Sequence, residues 1–182
     1  DAINPWKGYS MRIASNVLCA SLDASSWCTT KTVNDGSWHH LAMSLSGTTL
    51  RLYIDGILER TATGVAPTLI STESPPLCIN GTQSAGACTL QNMVGQISEV
   101  RISNTARYTS MAPGAPSSAF SADANTVALF HFSEGAGGTT VGLDSAGAST
   151  FTGTLTGATW AVIGSPTADY SYSTTAGNNI AA

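Results

Sequence analysis

Polar and apolar residues alternate along much of this chain, and helical periodicity is nearly absent. Tyr9 to Ile13 and Val17 to Leu22 read as two strands joined by Ala14-Ser15-Asn16. The clearest stretch runs from Trp38 to Asp55. His39, Leu41, Met43 and Leu45 fall on one face, and after the turn Ser46-Gly47-Thr48-Thr49 so do Leu50, Leu52 and Ile54. Pairing Leu45 with Leu50 sets Met43 against Leu52 and Leu41 against Ile54, so every apolar side chain lies on one side. Asp55-Gly56 is a strong two-residue hairpin signal, and a third strand, Ile57 to Thr63, follows it. Later strands are expected at Val94 to Ser103, Val127 to Phe132 and Thr154 to Val162.

Between them, Tyr108 to Asn125 holds Pro113, Pro116 and several small residues, and reads as a linker or long crossover. The tail from Ser165 to Ala182 is small and polar. It is expected to be mobile, or ordered only against a neighbour, although Tyr170 and Tyr172 alternate and could form an added strand. Many short strands with Gly-rich turns predict an all-β, antiparallel sandwich or jelly roll.

Composition narrows the class. Charged residues are 10% and hydrophobic residues 42% of the 182, which excludes a disordered chain of the low-hydrophobicity, high-charge type. The formal net charge is −4 and no basic run occurs, so neither nucleic acid nor an anionic membrane surface is an expected partner. No apolar run approaches the roughly 18 residues needed to cross a bilayer as a helix. Beginning at Asp1, the chain reads as a processed or excised piece.

Four cysteines, Cys19, Cys28, Cys78 and Cys88, lack the C-x-x-C spacing of zinc or redox motifs. Their even number suits disulfides, which allow three connectivities. The local one, Cys19–Cys28 with Cys78–Cys88, is preferred because each bridge closes a short segment. Two bridges imply an oxidising, extracellular setting. Asn80-Gly81-Thr82 is an N-glycosylation sequon by pattern.

Several segments resemble a known family. Asn34-Asp35-Gly36-Ser37-Trp38-His39-His40-Leu41-Ala42, followed by Leu50-Arg51-Leu52-Tyr53-Ile54-Asp55-Gly56, is similar to the central hairpin of laminin-G-like, concanavalin-A-like jelly rolls. Gly95 to Asn104 resembles that family's last strand. Val127 to Gly135, with Asp144-Ser145-Ala146-Gly147 and Gly153 to Trp160, resembles its first strand and the loop after it. The order is reversed relative to the family, and strands that would lie between the two blocks have no clear counterpart. The expected organisation is therefore 1–108 as the C-terminal part of a sandwich, 109–125 as linker, 126–163 as N-terminal-type strands of the same or a neighbouring sandwich, and 164–182 as tail.

Glucanases share the fold, but their chemistry needs paired carboxylates. Glu99 stands alone on its strand, and Glu134 and Asp144 are ten residues apart, so no enzyme is expected. His39 and His40 point to opposite faces and cannot readily share an ion. In the register above, His40 lies opposite Asp55, which predicts a structural His–Asp hydrogen bond. His131, in an apolar strand, is expected to be a satisfied core residue. The resemblance implies a calcium ion anchored by Asp144, against which stand Ser98, where the family commonly has an acidic residue, and the loss of the usual loop Asn. Sugar recognition uses exposed aromatic rings. Trp38 and Trp160 are expected in the core, which leaves Trp6, Trp27, Tyr9 and Tyr108 as candidate glycan contacts.

Two functions follow from these observations. One is a secreted structural subunit that assembles with copies of itself into a filament or surface layer, exchanging the strands of 125–162. The other is a lectin-like, glycan-binding module of a larger secreted or cell-surface protein. The reversed strand order favours the first.

Overall fold

A computed structural model describes residues 8–66, 77–84, 87–90, 94–133, 140–142, 152–156, 158–162, 170–174 and 179–181. Every strand pairing is antiparallel, and no helix occurs among these residues. The chain divides into two compact units, 1–72 with 105–118, and 73–104 with 119–182.

The first unit is a β-sandwich of two three-stranded meanders. One holds β1 (Tyr9–Ala14), β2 (Val17–Leu22) and β3 (Ser25–Thr32) in that order. The other holds β4 (Leu41–Ser46), β5 (Thr49–Ile54) and β6 (Ile57–Ala62). The expected register is found: Leu45 faces Leu50, Met43 faces Leu52 and Leu41 faces Ile54. Two tight turns follow from local chemistry. Ser15 and Asn16 have φ of 49° and 69°, and Asp55 and Gly56 have 55° and 73°, giving both two-residue loops the positive φ of a type I′ hairpin.

Leu18, Ala20 and Leu22 of β2 and Leu50, Leu52 and Ile54 of β5 fill the space between the meanders, with Val33 and Val65 closing the ends. Each such Leu, Ile or Val contributes about 1.5–3 kcal/mol on leaving water. Cys19 and Cys28 face each other across β2 and β3 and form a disulfide. The strand β3 was not expected, because Ser25-Ser26-Trp27-Cys28-Thr29-Thr30-Lys31-Thr32 lacks apolar alternation. It pairs with β2 and buries Thr29, whose hydroxyl donates to the Leu18 carbonyl.

The reverse face of β5 carries Tyr53, fully buried, whose hydroxyl donates to the Ser110 carbonyl at 2.9 Å. The start of the expected linker lies along the β5–β6 hairpin here. Leu58 N–H donates to the Met111 carbonyl at 2.9 Å, and Gly114 N–H to the Gly56 carbonyl at 3.4 Å. A Cβ on Gly56 would stand 2.0 Å from the Gly114 carbonyl carbon, so the approach requires glycine there.

The second unit contains β7 (Cys78–Ile79), β8 (Gly81–Ser84), β9 (Ala87–Leu90), β10 (Gly95–Ile97), β11 (Val100–Ser103), β12 (Thr126–Phe130), β13 (Thr140–Gly142), β14 (Thr152–Thr156), β15 (Thr159–Val162), β16 (Tyr170–Thr174) and β17 (Asn179–Ala181). Its sheets run β13-β14-β17-β7, β10-β16-β15, β11-β12 and β8-β9. Ile79, Ala128, Phe130 and Phe132 form its core, with Ile97, Val100, Ile102 and Trp160 packed against them. Trp160 therefore sits where expected. Cys78 and Cys88 form the second disulfide.

The reversed strand order is accommodated within one chain. β11, which resembles a closing strand, pairs with β12, which resembles an opening one, with Val100 opposite Phe130. Asn104 N–H donates to the Asn125 carbonyl at 3.0 Å, closing the base of the connection. The tail departs from expectation, because its strands are ordered against this chain itself. β16 lies between β10 and β15, with Tyr172 in register with Ile97 and Trp160, and β17 lies between β14 and β7. Tyrosine suits a pleated strand.

Candidate functional site

The most organised polar cluster lies where the chain enters β4. His39 sits just before that strand and Asp55 just after β5, so the hairpin brings them together. His39 Nδ1 is 3.0 Å from Asp55 Oδ2, and its Nε2 is 3.1 Å from Asp35 Oδ1. Lys31 of β3 reaches Asp55 Oδ2 at 3.3 Å from the other meander, and His40 N–H donates to Asp55 Oδ1 at 3.1 Å. Asp35 also accepts the Ser37 N–H at 2.8 Å, a tight local turn.

A ring with a carboxylate at each nitrogen is best satisfied when both nitrogens carry hydrogens, that is, as imidazolium. The bond to Asp55 accordingly raises the His39 pKa above 6.5, against the opposing effect of burial. Burial pushes Asp55 up, but His39, the His40 amide and Lys31 outweigh it and hold the carboxyl below 3.8. Asp35 is held low by the Ser37 amide first and by His39 second. The cluster pins the polar loop 34–38 to the β4–β5 hairpin.

Trp38 stands on that pinned loop and is 55% exposed, contrary to the expectation that it is core. It lies three residues before the first residue of β4, so strand alternation does not govern its direction. The His–Asp bond is likewise made differently. His39 supplies the ring, while His40 supplies its backbone amide. Because adjacent residues face oppositely, the His40 ring turns instead to Tyr108, at 5.5 Å between centroids and 3.4 Å from Nε2 to the phenol oxygen.

The other candidate residues are dispersed. Trp27 is half-buried against the core, and Tyr108 is packed between His40 and Tyr53. Tyr9 is exposed on β1. Asn80 sits between β7 and β8 with φ of 58°. Trp6 and Asp144 lie outside the described residues. No group of three or more His, Cys, Asp or Glu arranged to hold a metal occurs among the described residues. In the second unit, Glu99 Oε1 lies 2.6 Å from His131 Nδ1 and accepts the Phe120 N–H at 2.9 Å. His131 is thus half-buried and partnered, at the end of β12.

Sequence signals for Trp38 and His39 were present, since both fall within the segment that resembles the family's central hairpin. What the alternation could not tell was which ring faces solvent. A family model matches residues 7–110, and the chain belongs to the concanavalin A-like lectin/glucanase superfamily. That span contains the whole Asp35–His39–Asp55 cluster and stops short of the reversed strands at 126–162. No curated protein and no solved structure matches the chain.

Proposed function

We propose that this chain is a non-catalytic, extracellular glycan-binding module, and that the Trp38 loop is its contact surface. The observation that carries this reading is a half-exposed indole on a loop held by the His39 ring between two carboxylates. Sugars stack their apolar faces on aromatic rings and take directional hydrogen bonds from neighbouring polar groups. Asn34, Asp35 and Ser37 are exposed in the same loop. A loop ordered before binding loses little entropy on binding.

Glycoside hydrolysis uses two carboxylates flanking the bond, whereas Glu99 is occupied by His131 and the Phe120 amide. Two disulfides support folding outside the cytosol. The test is binding of the full chain to an array of glycans, beside a Trp38→Ala variant. Trp38→Ala should abolish the response while leaving the disulfides and the β-sheet circular dichroism unchanged.

A further inference from the structure

The loop that carries Trp38 also presents a carboxylate to solvent. Asp35 Oδ1 accepts the Ser37 N–H at 2.8 Å and lies 3.1 Å from His39 Nε2. Both contacts fall on Oδ1, so Oδ2 enters neither, and the Asp35 side chain is 54% exposed. Three residues separate Asp35 from Trp38, about 10 Å of backbone even if fully extended. The Ser37–Asp35 bond and the positive φ of Gly36 fold that stretch into a turn. The carboxylate and the indole therefore flank one small surface.

The cations around this surface are committed. Lys31 lies 3.3 Å from Asp55 Oδ2, and the His39 ring is shared between Asp35 and Asp55. Residues 33–38 contain no Lys or Arg. The Ser37 amide first, and His39 second, hold the Asp35 carboxyl low, so it keeps its charge at neutral pH. The formal net charge of the chain, −4, has the same sign. Such a field draws cations and repels anions. Indole is also the aromatic ring that best attracts a cation to its face.

We propose that the Asp35–Trp38 loop selects sugars that carry a free, protonated amine over neutral and acidic sugars. The inference rests on the glycan reading of this loop and adds the chemical class of the sugar. The apolar face of the ring stacks on Trp38, and the ammonium donates to Asp35 in a charge-assisted hydrogen bond. A neutral sugar can stack equally well but brings only hydroxyls to the carboxylate. A uronic or sulfated sugar meets a like charge and finds no uncommitted cation in the loop. N-acetylation removes the positive charge while leaving the pyranose ring, and so isolates the ammonium.

The experiment is calorimetric titration of the full chain with tetramers of β-1,4-linked glucosamine, N-acetylglucosamine and glucose. The glucosamine tetramer should bind at least tenfold more tightly than the other two, and added salt should weaken its binding alone. Asp35→Asn keeps an acceptor for the Ser37 N–H but loses the charge. It should bring the three affinities to within about twofold of one another. If that change disturbed the loop instead, all three tetramers would weaken together and their ratio would survive, so the ratio is the quantity read. No response to the glucosamine tetramer, binding of the acetylated or neutral tetramer as tight or tighter, or an amine preference unchanged in Asp35→Asn would overturn the inference. The Trp38 reading falls with it only if the glycan array is also blank.

Discussion

His39 stands between Asp35 and Asp55, four residues from one and sixteen from the other, with a carboxylate oxygen close to each ring nitrogen. One ring therefore connects the loop that carries Trp38 to the end of the central hairpin. Its state should be readable from the indole.

The pH dependence has a definite sign. The folded His39 pKa is raised, so its contribution is fully present below 6.5 and is lost as pH climbs through the higher folded value. The lowered Asp35 and Asp55 values contribute stability that is present above 3.8 and lost as pH falls through their folded values. Between these limits the tie is intact. We expect an alkaline titration to change Trp38 emission with a midpoint above that of a free histidine. His39→Gln should remove the transition. The same midpoint in that variant would place the titrating group elsewhere.

Gly56→Ala should destabilise the first unit. The residue holds φ of 73°, where a Cβ costs roughly 1–2 kcal/mol. The added methyl would also collide with the Gly114 backbone, displacing the segment that covers Tyr53. Urea denaturation should report a loss at or above that strain. Gly47→Ala, also at positive φ but with open space around it, reports the backbone strain alone, and the difference between the two variants gives the steric part.

Intact mass spectrometry should find no alkylatable thiol until the protein is reduced. Replacing the Cys19–Cys28 pair with alanine should lower stability by about 2–3 kcal/mol if the loss is chiefly loop-closure entropy. The bridge closes a short segment, its ends nine positions apart in sequence. Four reactive cysteines in the native protein would contradict the extracellular assignment.

Core truncation offers a further check. Leu52 is fully buried where the two meanders meet. Leu52→Ala should cost about 2–5 kcal/mol by denaturant titration. A loss well under that range would mean that the sandwich core lies elsewhere.

The central hairpin was legible residue by residue, because Leu41, Met43 and Leu45 and their partners Leu50, Leu52 and Ile54 admit one register that keeps them together. The local disulfide pairs were also legible from spacing. β3 was hidden because its pairing rests on backbone bonds and a cross-strand bridge more than on apolar alternation. The tail was hidden for a similar reason: β16 joins β15 to the distant β10, and β17 joins β14 to the distant β7. At the site, alternation identified Asp55 as opposite His40 but could not assign the ring, since His39 and His40 compete for one carboxylate from opposite faces. Trp38 was misplaced because the strand begins only at Leu41.

Glycan binding at the Trp38 loop is tested most directly by an array of glycans probed with the wild-type chain and with Trp38→Ala in parallel. The account predicts binding to a defined subset of glycans by the wild type, and loss of that signal by at least tenfold in the variant. No bound glycan, or equal binding by both proteins, would contradict it.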